Sequence, residues 1–247
     1  MLKKLYDKSR IWFAVIWIIA YCVLMSVGDS LSLMLKTEKS VTLLIGLLLS
    51  AVLFLFLKKN GLLASYGLCR SKASARSMLF YLPLILLPFL NLSHGVILNY
   101  GTLETVLYIL SMLCVGFLEE IIFRGLLFNA MRKDSFKAAV TVSSLTFGIG
   151  HIINLINGSG AELLPNLLQV IYATAAGFMF VMIYVKTESL IWCILTHAVF
   201  NAVSVFSNEA AITPKTQILS CILLTVITGA YALYIALMLR NKKTDTV

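Results

Sequence analysis

The sequence predicts an all-α protein that crosses a membrane several times. Three observations carry that expectation. Of the 247 residues, 60% are hydrophobic and only 13% are charged, against about 25% charged in a soluble domain. The apolar residues fall into blocks long enough to cross a hydrocarbon core, which takes about 20 helical residues. Lysine and arginine gather between alternate blocks, the distribution that the positive-inside rule describes.

Taken in order, the blocks run over residues 11–27, 41–57, 78–98, 105–130, 138–156, 164–185, 189–206 and 217–239, about eight spans in one integral membrane domain over 1–247. The first follows the basic start MLKKLYDKSR. It has no small-x-small cleavage site and is long for a signal h-region, so it reads as an uncleaved spanning helix. The second is closed by Lys58 and Lys59, which open the longest non-apolar stretch, KKNGLLASYGLCRSKASARS over 58–77. That stretch reads as a basic loop and not as a soluble domain. No repeat of helical-array period and no low-complexity tract occurs. Cys22, Cys69, Cys114, Cys193 and Cys221 are scattered, without a CxxC pair, and read as small buried hydrophobes.

Basic residues set the orientation. With the amino terminus cytoplasmic, that side holds Lys3, Lys4, Lys8, Arg10, Lys58, Lys59, Arg70, Lys72, Arg76, Arg132, Lys133, Lys137, Lys186, Arg240, Lys242 and Lys243. The other side holds only Lys36, Lys39 and Lys215. Both termini are therefore expected inside, in a multi-pass protein of the cell membrane. The formal +9 charge is explained by dispersed anchors beside anionic lipid, and no nucleic-acid surface is needed.

Ionisable side chains at membrane depth are expensive and usually mark function or pairing. Nine of the eleven acidic residues fall in loops or at predicted membrane edges; Glu119 and Glu120 do not. Among basic residues only Arg124 lies inside a block. The fifth block adds His151 in FGIGH, and the seventh adds His197 and Asn201 in HAVFN. At 1.5 Å per residue, Glu119 lies about 18 Å from the cytoplasmic end of its helix, His151 about 20 Å, His197 about 12 Å and Asn201 about 18 Å. Three helices thus bring these groups to one layer. His94, about 24 Å along the third block, falls near the outer edge and reads as a snorkelling or packing histidine.

Spacing within the set is also informative. Glu120 and Arg124 are four apart with the acid on the amino-terminal side, the favourable order for an ion pair, and pairing lowers the cost of burying both. Glu119 stands about 100° around the helix from Glu120, so one carboxylate can support structure while the other meets a cavity. His197 and Asn201 share a face, as do Phe147 and His151. A carboxylate in a low-dielectric pocket suits general-base work. A histidine beside it can share the proton, and a second histidine with an amide donor can hold an oxyanion. Peptide hydrolysis by activated water, with no serine or cysteine nucleophile, is the reaction class expected.

EEIIFR, FGIGH and HAVFN, in this order on separate blocks, resemble the EExxxR, FxxxH and HxxxN motifs of the CAAX protease and bacteriocin-processing family. That family includes type II CAAX prenyl endopeptidases and bacterial Abi-type membrane proteins, and the resemblance covers roughly residues 105–205. It implies an intramembrane endopeptidase with eight helices around a conical, cytoplasm-facing cavity. Glu119 would then be the general base, His151 its partner in activating water, and His197 with Asn201 the oxyanion site. Glu120 and Arg124 would hold the helix geometry, and Phe147 would pack. The family has been described both as zinc-dependent and as metal-independent. The metal-free mechanism is favoured, because no HExxH occurs and the ion pair withdraws Glu120; if zinc is used, Glu119, His151 and His197 are its ligands.

A membrane-associated peptide entering from the cytoplasm or inner leaflet is the expected substrate. The small size and basic loops fit a bacterial protein acting on a lipidated, pheromone or bacteriocin-type peptide. The alternative from another class is a non-proteolytic immunity or regulatory partner of the same fold, which would survive Glu119→Ala. A transporter is disfavoured by the lack of an inverted repeat and of paired broken helices.

Overall fold

The structure is a computed structural model that describes residues 2–155 and 162–244. Residue 156, the end of the expected fifth block, lies outside the described residues, as do the side chains of Lys242 and Lys243. The chain is all-α with one isolated bridge, Val96 to Ser207, among the described residues. A short α1 (Leu2–Lys8) precedes α2 (Arg10–Met34) and α3 (Ser40–Lys59). The third block is broken, with the five-residue α4 (Leu82–Leu86) between 3-10 turns Arg76–Tyr81 and Leu87–Leu92. Then follow α5 (Thr102–Glu119), a π-helix (Glu120–Phe128) and α6 (Asn129–Met131), which make one continuous rod. The bundle closes with α7 (Phe136–Gly150), α8 (Leu163–Thr187), α9 (Ile191–Val203) and α10 (Pro214–Thr244).

Among the described residues, six helices are long and apolar enough to cross a membrane. The third and seventh expected spans are shorter apolar segments, Arg76–Leu92 and Ile191–Phe206. The third is interrupted because Leu79, Phe80 and Tyr81 turn left-handed (φ 48°, 53° and 58°). Pro83 and Pro88 then each remove a helical donor, so the run restarts at each proline instead of continuing. Leucines such as Leu44, Leu48, Leu55 and Leu219 stay exposed on the outside of the bundle, as lipid-facing residues would.

The two ends of the bundle differ. At one end the basic loops meet: Lys72 N–H donates to the Thr187 carbonyl, Leu190 N–H to Gly67, and Asn129 to the Tyr184 hydroxyl at 2.7 Å. The half of the bundle beneath them is solid. Phe13, Leu53, Leu57, Phe128 and Ile183 are fully buried there, and Tyr6 of α1 seals the end by bonding Tyr66 at 2.7 Å. At the opposite end Ile97 N–H donates to Phe206, Asn99 to Val205 and Ser207, and Glu38 N–H to the Glu104 carboxylate. The half beneath these contacts holds a cavity of about 370 Å³.

That cavity reaches from Glu119, Phe123 and Phe147 up to Asp29, Lys39 and Tyr108. Among the described residues none from 58–77, 132–137 or 186–190 lines it. Termini on the cytoplasmic side and a cavity open to that same side, both expected from the sequence, are therefore incompatible here. Packed aromatic and aliphatic residues occupy the basic half, and the hollow lies in the other.

Candidate active site

The site is built where α5 gives way to the π-helix. A π-turn places about one more residue in each turn than an α-turn and recurs at functional sites. Here the change falls between Glu119, the last residue of α5, and Glu120. The π-segment is buried throughout and is docked by α7, whose Ser143 hydroxyl donates to the Phe123 carbonyl at 2.8 Å. From the other side α9 approaches closely: a Cβ on Gly116 would lie 2.7 Å from the Ala198 Cα. Small residues at such crossings let membrane helices touch backbone to backbone. That contact sets His197, the neighbour of Ala198, beside the carboxylates.

Glu120 and Arg124 are both fully buried and joined at 3.0 Å. Arg124 Nε and Nη2 have no hydrogen-bond partner among the described residues. Its guanidinium instead faces two rings, with Cζ 4.0 Å from the Phe147 centroid and 5.3 Å from that of Phe180. Cation–π contact of this kind is strongest when desolvated, which gives Phe147 a job beyond packing. The same ring meets His151 and His197 edge-on at 5.3 and 5.6 Å. One phenylalanine therefore touches the guanidinium and both imidazoles.

His197 joins the two carboxylates. Its Nδ1 lies 2.8 Å from Glu120 Oε1, and its Nε2 lies 3.4 Å from Glu119 Oε2. Glu120 thus has two partners, Arg124 and His197. Glu119 is not partnerless, contrary to what its place on the helix implies: the Tyr21 hydroxyl of α2 donates to its Oε1 at 2.6 Å. Its Oε2 is buried with no hydrogen-bond partner among the described residues. Tyr21 carries no signal in the sequence, because a tyrosine within an apolar run looks like any packing aromatic.

His151 sits where α7 tightens into the 3-10 turn His151–Leu155. Its Nδ1 is 3.0 Å from the Phe147 carbonyl, which accepts and leaves Nε2 as the free nitrogen. Asn166 of α8 donates to the His151 carbonyl at 2.8 Å and pins this end of the helix. Glu119, His151 and Asn201 line the large cavity. The Asn201 side chain has no hydrogen-bond partner among the described residues. A smaller apolar recess of about 60 Å³ continues behind His151 and His197, walled by Leu87, Ala173, Met179 and Leu224. His94 stands apart from the site, 3.2 Å from Ser220 in a separate cleft.

The structure thus brings Glu119, Glu120, Arg124, Phe147, His151 and His197 together, with Asn201 on the shared wall. It does not arrange Glu119, His151 and His197 as zinc ligands. Among the described residues no three His, Cys, Asp or Glu side chains converge on a common point. The Nδ1 atoms of both histidines are committed to other acceptors, and His197 Nε2 faces a carboxylate oxygen directly.

Fold and site together define a polytopic membrane protein with an ionisable cluster at membrane depth beside a cavity. Residues 101–203 match the family model described as type II CAAX prenyl endopeptidase Rce1-like. The matched segment carries all three motifs and every ionisable group of the cluster, so the resemblance to CAAX proteases holds independently of the motif reading. It supports a CAAX-type intramembrane endopeptidase in general. No curated protein and no solved structure gives a match.

Proposed function

We propose that this chain hydrolyses a peptide bond of a membrane-associated peptide, with Glu119 as the base that activates water. One observation carries the proposal. Glu119 Oε1 is held by Tyr21 while Oε2 stands unpartnered at the floor of the cavity, 3.4 Å from His197 Nε2. Glu120 Oε2 also lacks a hydrogen bond, but of the two carboxylates only Glu119 lines the cavity, where one held by a single oxygen can accept a proton.

In the reaction, water would give a proton to Glu119 Oε2 as its oxygen bonds the substrate carbonyl carbon. The oxyanion that forms would be met by the Asn201 amide, whose donors are uncommitted among the described residues. Collapse would break the C–N bond, and the departing amine would take a proton from Glu119, directly or through His151. His197, oriented by the Glu120–Arg124 pair, would stabilise the charge on Glu119 and help hold the oxyanion. The cell membrane of a bacterium is the setting proposed, and lipidated, pheromone or bacteriocin-type peptides have the required membrane-bound character.

The test is mass spectrometry of candidate peptides incubated with purified protein and with Glu119→Gln. Cleavage should fall about 10²–10⁴-fold in the variant. Chelator treatment should leave the wild-type rate unchanged. Cleavage by Glu119→Gln at the wild-type rate would sink the enzyme reading, and stoichiometric zinc lost together with activity would replace the metal-free mechanism.

A further inference from the structure

We infer that the catalytic cavity opens to the extracytoplasmic side of the membrane, so that its substrates are peptides presented at the outer leaflet during or after export. The part of this that concerns substrates rests on the proteolytic reading above; the part that concerns access does not.

Two facts about one bundle combine here. Of twenty basic residues, sixteen belong to the end where the termini and the loops 58–77, 132–137 and 186–190 lie, and only Lys36, Lys39 and Lys215 belong to the other. Acidic residues do not share this bias: Asp29, Glu38, Glu104, Glu162 and Glu209 lie at the end with few bases, and Asp7, Asp134, Glu188 and Asp245 at the other. Loop charge of this kind directs insertion, and the basic end goes to the cytoplasm.

The cavity communicates with the other end. Its wall climbs from Tyr21 through Cys22, Met25 and Ser26 to Asp29 on α2, and from Glu119 through Val115 and Met112 to Tyr108 on α5. From Asn201 on α9 it climbs to Ser204 in the turn that follows that helix. Tyr108 and Ser204 are shared with a further cleft of about 220 Å³, lined by Asn99, Tyr100 and Glu209, which continues the path to the surface. Toward the basic end the route is shut by Phe123, Leu126 and Phe128 of the π-segment and by Tyr184, all of them buried. A peptide reaching Glu119 from the cytoplasm would have to displace that core. A peptide arriving from the other side meets a path already present.

The chain carries its own reporters. Cys22 lines the cavity, whereas Cys69 lies on the basic loop, where its thiol approaches the Glu188 carbonyl. Cys114, Cys193 and Cys221 are buried. Intact cells expressing the chain would be treated with a charged, membrane-impermeant methanethiosulfonate, with or without permeabilisation, and modified cysteines mapped by mass spectrometry. Ser26→Cys, one turn nearer the mouth than Cys22, and Lys133→Cys, on an exposed basic loop, would repeat the comparison with more reactive positions.

The inference expects Cys22 or Ser26→Cys to be modified in intact cells, and Cys69 and Lys133→Cys only after permeabilisation. Modification of the cavity positions only after permeabilisation would overturn it, whatever the basic loop does. Modification of Lys133→Cys in intact cells would overturn it as well, by reversing the orientation. Labelling reads access without reading catalysis, so an inactive protein with externally labelled Cys22 would count against the protease reading alone.

Discussion

The two halves of this bundle are made of the same helices and do opposite things. In the half beneath the basic loops, Phe13, Leu53, Leu57, Phe128 and Ile183 are fully buried between α2, α3, the π-segment and α8. In the other half those helices, with α5, α7 and α9, stand around about 370 Å³ of open volume. The ionisable cluster lies at the seam. Its supporting members, Glu120 and Arg124, belong to the solid side, and Glu119, His151 and Asn201 face the hollow. Packing therefore supplies rigidity from below, and the reacting groups meet the space above. Preorganisation of this kind is what electrostatic catalysis requires.

If that division is right, substitutions in the two halves should fail differently. The largest effect is expected on the solid side of the seam. Arg124→Ala leaves a buried carboxylate with only His197 for company and should cost about 3–5 kcal/mol of stability, lowering yield and thermal midpoint along with activity. A normally stable Arg124→Ala protein would remove the structural role of the pair. Phe128→Ala, deep in the solid half, should cost a similar amount, about 3–5 kcal/mol. Its residual activity per folded molecule should stay near the wild-type value, because the residue lies outside the cavity. A folded Phe128→Ala protein without activity would blur the distinction.

Gly116→Ala tests the contact that brings α9 to the carboxylates. The added methyl meets the Ala198 backbone at 2.7 Å, an overlap that should cost about 1–3 kcal/mol. Activity should fall further than stability predicts, since His197 moves with Ala198. The smallest effect is expected on the hollow side. Tyr21→Phe removes one hydrogen bond to Glu119 and little volume, so the thermal midpoint should hardly shift while turnover drops about tenfold, or about 1.4 kcal/mol in the barrier. An unchanged rate would show that Tyr21 does not position the base.

How much of the fold and site is legible in the sequence differs residue by residue. Glu119, Glu120, Arg124, His151 and His197 stand out because ionisable groups within apolar blocks are rare and costly, and the four-residue spacing by itself links Glu120 with Arg124. The broken third span is not legible as such, although Pro83 and Pro88 stand in view, since leucine, phenylalanine and tyrosine give no sequence signal for the left-handed turn they make at Leu79–Tyr81. The π-helix is hidden because its buried, apolar sequence satisfies an α-helical pattern as well. The cavity mouth escapes the sequence for a further reason. Counting residues places Glu119 about 18 Å from the basic end and about 26 Å from the other, and depth favours the nearer side. Whether side chains fill the way is decided by contacts between helices, which counting along one helix does not see.

The central claim is that Glu119 is the base and Glu120 its support, although they are adjacent in sequence and both touch His197. The measurement that tests it most directly sets peptide cleavage beside thermal unfolding for Glu119→Gln and Glu120→Gln in the same detergent. The account predicts that Glu119→Gln unfolds at the wild-type temperature and loses about 10²–10⁴-fold in cleavage. Glu120→Gln should unfold earlier and keep measurable turnover. The reverse pattern, an active Glu119→Gln beside a stable and inactive Glu120→Gln, would contradict it.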